Sequence, residues 1–349
     1  MQQPTISIRA DDLRQFVTDI FKAAGFSDDS AAIEAKVLVW ANARGVDSHG
    51  IFRIPRYIDA IASGHINAHP TLKVIRQSGA SCTIDADRAA GPVAMTFGMD
   101  SACDIASVQT IGWTLITNTT HTGPMGYYAR EAVNRGMIGI VMCSSRPLMA
   151  YHGSAAAALP TNPIAIAIPR ANAAPLVLDM ASSAIAWGKL LQAKQAGTDL
   201  PEGVAMDAAG HMTTDPAKAV VPMPMAGPKG AGLSLMIECL VSVLASIPLV
   251  EPSLNNQNDS PRAWQNAAAI AVNIAGFTDP NEFATNVDAL AIQLKQQPTA
   301  SGFDEILMPG ERGDRLLEER LKSTIPVLHT DWDQLVNVAK RFNITAPEI

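Results

Sequence analysis

The chain has 349 residues, 48% of them hydrophobic and only 17% charged, and its 26 Lys and Arg against 33 Asp and Glu give a formal net charge of -7. At about 150 residues per domain that length predicts two or three domains with a real core, and the acidic balance excludes a broad basic face for a nucleic-acid backbone. Charges, prolines or polar clusters break every apolar run before the roughly 20 residues of a spanning helix, which argues against a membrane.

The start of the sequence lacks a basic stretch followed by an apolar core, the pattern of a secretory signal. Cys82, Cys103, Cys143 and Cys239 lie far apart, so neither a disulfide framework nor a metal site is expected, and a reducing cytoplasm is the default location. The charge-poor surface predicts that part of it meets another subunit.

Leu13, Phe16, Val17, Ile20 and Phe21 recur at helical spacing, and Gly25 can end that helix. Ser30 is the expected cap of a second helix running to Ala43. After Gly45, the stretch 47–53 reads as a loop leading into a third helix, with Pro55 in its first turn and Gly64 at its end. From about residue 72 the period tends toward two, predicting strands at 82–87, 113–117, 138–143, 164–168, 176–179 and 269–274, separated by helices such as 94–106 and 127–135. The apolar run 233–250, which contains Glu238 and Pro248, reads as a buried helix, and the Asn-rich stretch 251–262 as an exposed loop. After Asp279 the chain turns helical again, and Thr330-Asp-Trp-Asp333 resembles a capping box opening the last helix.

The sum is a mixed α/β fold. Residues 1–70 and 280–349 are expected to form one helical domain, and 71–279 a central sheet domain with the cofactor and substrate cleft.

Common dinucleotide binding uses GxGxxG between a strand and a helix, and no such motif occurs. The nearest segment is Gly227-Pro-Lys-Gly-Ala-Gly232. It can cradle a phosphate with Lys229 and free helix N–H groups, or merely start a helix beside a solvated lysine. Of seven histidines, His65, His69, His152, His211 and His329 read as solvent-facing. His49, next to Ser48, and His121 each precede a helix, where an imidazole of pKa about 6.5 suits proton transfer. Arg53 follows His49 closely. The pair can serve a carbonyl beside a carboxylate; alternatively His49 bonds its own loop and Arg53 makes a surface ion pair. Thr161 and Asn162, in Leu159-Pro-Thr-Asn-Pro163, can bond a ligand or their own backbone. Asp179 and Asp215 near element ends can cap helices or meet a ribose hydroxyl.

Taken in order along the chain, these pieces resemble the malate/L-lactate dehydrogenase family that lacks a Rossmann domain and includes ureidoglycolate and sulfolactate dehydrogenases, diketogulonate reductase and piperideine/pyrroline-2-carboxylate reductases. The matching segments are Arg44-Gly-Val-Asp-Ser-His-Gly50 with Arg53, Asn118 to Tyr127, Gly153 with Thr161-Asn-Pro163, Asp179-Met-Ala-Ser182, Thr213-Thr-Asp-Pro216, Gly227-Pro-Lys-Gly230 and Met308-Pro-Gly-Glu311.

The resemblance implies a sulfolactate dehydrogenase-like, non-Rossmann sheet. It implies hydride transfer between NAD or NADP and C2 of a 2-hydroxy or 2-keto acid, or of a cyclic 2-imino acid. A cofactor-free lyase or hydratase is the rival from another class. By that likeness His49 or His121 is the acid/base with Ser48 beside it, and Arg53 is the carboxylate partner. Ser145, Thr161, Asn162, Asp179, Met180, Ala181, Lys229, Pro309, Gly310 and Glu311 line the cofactor site. The likeness also implies a homodimer or larger assembly. Arg146 stands where ureidoglycolate-type relatives look acidic, which suits a second anionic group on substrate or a cofactor 2′-phosphate. Ala231 departs from a position that is more often larger or polar.

Overall fold

The computed structural model describes residues 4–255 and 264–348. It begins with strand β1 (Thr5–Ile8) and helices α1 (Ala10–Ala23), α2 (Asp28–Ala43) and α3 (Ile54–Ala62). There follow β2 (Lys73–Ser78), β3 (Ser81–Asp85), α4 (Gly91–Gln109), β4 (Ile111–Thr119), α5 (Met125–Asn134) and β5 (Met137–Ser144). Next come a short hairpin of β6 (Met149–Ala150) and β7 (Ala157–Leu159), then β8 (Ile164–Ile168), β9 (Leu176–Met180) and α6 (Trp187–Ala196). A small pair, β10 (Ala205–Met206) and β11 (Val221–Pro222), precedes α7 (Pro228–Glu238), α8 (Val250–Leu254) and β12 (Gln265–Asn273). The last elements are α9 (Pro280–Lys295), α10 (Glu311–Lys322), β13 (Ile325–Leu328) and α11 (His329–Lys340).

Seven strands form the central sheet in the order β2-β3-β4-β12-β5-β8-β9. Only the β3–β4 pair is parallel. A Rossmann sheet is built from parallel strands with helical crossovers, so the missing GxGxxG belongs with a different architecture, the mixed α/β fold expected.

Strand periodicity explains the layering. Along β12, Ala267, Ala269 and Ala271 pack with Met95, Met99 and Ala102 of α4 and with Tyr128 and Ala129 of α5. The alternate residues Ala268 and Ile270 face the other way, against Ile237 of α7 and Val241. Beside the sheet, α1, α2, α3 and α11 share a core with β1 and β13, which pair antiparallel from Thr5↔Leu328 to Ile8↔Ile325.

Several local expectations need correction. Helix α2 is capped by Ser27, whose hydroxyl accepts from the Ser30 N–H at 3.2 Å, so Ser30 lies inside the first turn. Helix α11 starts at His329 with no side-chain cap, because the residue at its cap position is the apolar Leu328 and Thr330 lies inside the first turn. The run 233–250 is not one buried helix: α7 ends in a π-helical turn, Cys239–Val243, and Met236, Val243 and Leu244 are exposed because only one face meets the sheet. Residues 251–254 of the expected Asn-rich loop are helical, as part of α8, and 256–262 lie outside the described residues. Among the described residues the four cysteines are unpaired, and no helix is long and apolar enough to cross a membrane.

Candidate active site

The loop between α2 and α3 is two short 3-10 turns, Asp47–His49 and Ile51–Arg53. Asn42, in the last turn of α2, holds both. Its Nδ2 donates to Asp47 Oδ1 at 2.7 Å, and its Oδ1 accepts from the Ile51 N–H at 2.8 Å. A Cβ at residue 50 would lie 2.0 Å from that same oxygen, so Gly50 is required for the turn to close. Within the loop, Arg53 Nε donates to the Ser48 carbonyl at 2.6 Å, and Ser48 Oγ lies 3.0 Å from His49 Nδ1.

A second loop, from the end of β4 to the start of α5, brings His121 across from it. Thr122 is pinned through its N–H to Gln265 Oε1 at 3.1 Å and through its carbonyl, which accepts from Tyr128 OH at 2.6 Å. The His49 and His121 rings stack with centroids 5.5 Å apart and planes 25° from parallel. Tyr57 of α3 places its hydroxyl 2.5 Å from His121 Nδ1.

Burial in this pocket disfavours charge, and Arg53 adds repulsion, so the His49 imidazole is pushed down to about 3. His121 is lowered further from its ordinary value by burial, then by Arg53, His49 and Arg56. Both rings are therefore neutral at physiological pH. Arg53 is 7% exposed, and among the described residues it makes no ion pair with a carboxylate. Its neighbours are a carbonyl and the Phe52 ring. A buried guanidinium without a counter-ion is costly, and an anion in the adjoining cleft would relieve the cost.

These groups line a cleft of about 650 Å³, within the usual range for small-molecule sites. Of the residues singled out from sequence, Ser48, His49, Arg53, His121, Ser145, Arg146, Thr161, Asn162, Asp179, Met180, Ala181 and Gly310 line it. Lys229 does not. It is exposed at the start of α7, where Gly227 lies beside His152. Pro309 and Glu311 stand behind the wall: the Pro309 carbonyl accepts from the Val177 N–H at 2.9 Å, and the Glu311 carboxylate bonds the Met308 N–H, Lys295 and Arg315. Asp179 accepts from the Gly126 N–H at 2.8 Å, capping α5 from across the cleft. Asp215 caps its own turn through the Ala217 N–H at 2.9 Å.

Sequence reasoning missed Tyr57, whose signal was its position four residues after Arg53, one turn along the same helix face. Arg44, which heads one of the matching segments, was given no role there; it bonds the Gly310 carbonyl at 3.0 Å and, with Arg130, flanks Asp314. Asn42, Gln265 and Gly188, where a Cβ would lie 2.9 Å from Ser48 Cβ, escaped notice too, because what matters about them is a contact made only in the folded chain.

Comparison with known proteins fits this geometry. The family model for malate/L-lactate dehydrogenase matches residues 8–336. The chain is 34% identical to the malate dehydrogenase of Pyrococcus abyssi over 99% of this chain and 97% of that one. It is 38% identical to the L-sulfolactate dehydrogenase of Methanocaldococcus jannaschii over 90% of both. The solved malate dehydrogenase of Pyrococcus horikoshii superposes with a TM-score of 0.89 at 31% identity, covering 99% of each chain. By these matches the chain belongs to the malate/L-lactate dehydrogenase family and is an oxidoreductase of hydroxy acids.

Proposed function

We propose that the protein transfers a hydride between a nicotinamide cofactor, NAD or NADP, and C2 of a 2-hydroxy or 2-keto acid. The observation that carries the reading is Arg53, buried, without a carboxylate partner among the described residues, and set beside His49 and His121. Its guanidinium would bind the substrate carboxylate in a bidentate pair. That places C2 and its oxygen toward the histidines.

His121 is the acid/base in this reading. With Nδ1 held by the Tyr57 hydroxyl, Nε2 is left for the substrate oxygen. His49, stacked on it and tied to Ser48, keeps the ring in place and the site dry. Arg146 lines the same cleft and is our candidate for a second anionic group on substrate or cofactor.

The opposite wall suits a cofactor. Asn162 uses Nδ2 on the Ser234 carbonyl at 2.9 Å, while its buried Oδ1 has no partner among the described residues. A buried acceptor in a cleft wall fits the carboxamide of a nicotinamide. Ser145, Thr161, Met180, Ala181 and Gly310 would line the rest, and Asp179 would face the ribose. A reduced nicotinamide bound there would supply the hydride.

Three further parts of the reading have supports of their own. The exposed apolar face of α7 and the turn after it, with Met236, Leu240, Val243 and Leu244, supports a homodimer or larger assembly. The four unpaired thiols support a reducing cytoplasm. The β1–β13 pairing supports a unit built from 1–70 and 280–349 around 71–279, with α9 tied back to the sheet side through Asp288 and Arg170.

The test is fluorescence enhancement on mixing with NADH and NADPH, followed by an oxidation screen over pyruvate, oxaloacetate, sulfopyruvate, diketogulonate and cyclic imines. Binding of neither cofactor would sink the proposal.

A further inference from the structure

Strand β4 pairs with β12 as far as Thr119, opposite Gln265, and the chain then leaves the sheet toward His121. Just before that end the register slips: Ala267 faces Ile116 and Gln265 faces Thr119, so Thr117 and Asn118 stand opposite Asn266 alone. Asn118 takes a φ of 54°, a left-handed backbone that Asn accepts better than most residues.

Neighbouring side chains of a regular strand point to opposite faces. At this bulge both neighbours reach the same segment instead. Asn266 Oδ1 accepts from the Asn118 N–H at 3.2 Å, and Gln265 Oε1 accepts from the Thr122 N–H at 3.1 Å. His121 lies between the two anchored residues. On its near side the hydroxyl of Thr120 also donates to the Ala89 carbonyl at 3.1 Å, whereas beyond it the Thr122 N–H has Gln265 as its acceptor, since the ladder has ended.

Both arms are braced. Asn266 is buried, and its Nδ2 donates to Ser242 Oγ at 3.1 Å and to the Ile247 carbonyl at 2.9 Å. Gln265 Oε1 also accepts from Cys143 Sγ of β5 at 3.2 Å. Its partners there are donors, so the oxygen of the amide, and not the nitrogen, faces the loop. Gln265 lines the cleft beside His121, Thr122 and Cys143.

A proton donor must come within hydrogen-bond reach of the atom that takes the proton, and a misplacement of about 1 Å can cost about 100-fold. Tyr57 orients the His121 ring, but the ring is only as well placed as the backbone that carries it. We propose that Gln265 is a positioning residue for the reduction: its side-chain oxygen holds the backbone after His121 and thereby sets the reach of Nε2 to the substrate oxygen. This rests on the reading given above. Gln265 exchanges no proton in the reaction and acts through His121.

Gln265→Met keeps the length and removes the acceptor. We expect kcat for oxaloacetate reduction by NADH or NADPH to fall at least about tenfold, with a smaller change in KM, which Arg53 governs. The solvent deuterium isotope effect on kcat should rise, because the proton step slows relative to the others; a mere loss of folded enzyme would leave it unmoved. Gln265→Glu keeps an acceptor at the same place and should recover part of kcat and lower the isotope effect again. A folded Gln265→Met enzyme whose kcat changes by less than about twofold overturns the proposal. So does a lower kcat with an unchanged isotope effect. If that variant does not fold, Gln265→Leu is read by the same measures. In the ligand-free protein, amide exchange of the segment 118–124, followed by mass spectrometry, should be faster in Gln265→Met than in the unmodified chain and slow again in Gln265→Glu. Equal exchange in all three overturns the proposal whether or not a substrate has been found, which separates it from failure of the dehydrogenase reading.

Discussion

The hydroxyl of Tyr57 and Nδ1 of His121 approach to 2.5 Å across 64 residues of sequence, in a pocket that holds the imidazole neutral. The contact fixes which ring nitrogen faces the cleft. Tyr57→Phe removes it and leaves a buried nitrogen without a partner, a loss of about 1–3 kcal/mol. Spent in the transition state, that lowers kcat about 5- to 150-fold. Steady-state kinetics on the reduction, with circular dichroism to verify folding, checks it, and a change below about twofold would remove Tyr57 from the mechanism.

Arg53→Ala should act on binding. A hydrogen bond to a charged group contributes about 1.5–3 kcal/mol, so KM for a 2-keto acid should rise about 10- to 100-fold with a smaller change in kcat. The effect should shrink for an analogue in which an amide replaces the carboxylate. Equal losses on acid and amide would show that Arg53 does not hold that group.

The neutral histidines make folding sensitive to acid. Unfolded His49 gains a proton near its usual pKa of about 6.5, whereas the folded ring does so only at about 3. Between those values the unfolded chain binds more protons, so the stability His49 contributes is complete above about pH 6.5 and lost as pH falls toward about 3. The urea midpoint of His49→Asn should therefore fall less between about pH 7 and about pH 5 than that of the unmodified protein. Parallel decline of the two would show that His49 is not held neutral.

Backbone packing around the site is testable without removing any reacting group. A Cβ at residue 91 would lie 2.1 Å from the His121 carbonyl oxygen and 2.5 Å from Thr122 Cα. Gly91→Ala should cost at least about 1–3 kcal/mol and lower kcat by displacing His121. Gly232, inside α7, has nothing within 4 Å of an added Cβ. Gly232→Ala should stabilise by about 0.5–1 kcal/mol with activity unchanged. Thermal melts and kinetics on both variants decide the matter.

Much of the site was legible because its loops carry polar residues where the flanking helices are apolar. His49, Arg53 and His121 stood out on that contrast, and the period-two runs located β4, β5, β8, β9 and β12. Strands β1 and β13 did not, since four residues beside a long helix give too few alternations to read. Tyr57 lies on a face that looks merely buried, and only the fold reveals that it bonds an imidazole. Lys229 illustrates the reverse: its glycine-flanked setting suggested a phosphate, yet it is exposed and does not line this cleft.

The wall formed by Leu307, Met308, Gly310, Arg312 and Gly313 is drawn into the cleft by Arg44 and by the Val177–Pro309 bond. During synthesis those residues emerge long after Ser48, His49, Arg53 and His121 have left the ribosome. A prematurely terminated chain would hold these cleft-lining side chains with one side open to water and no β13 for β1 to pair with. Completion of the cleft thereby waits for residues made long after the loops that face them, so shorter fragments would burden the cell as unfolded protein and not as half-built enzyme.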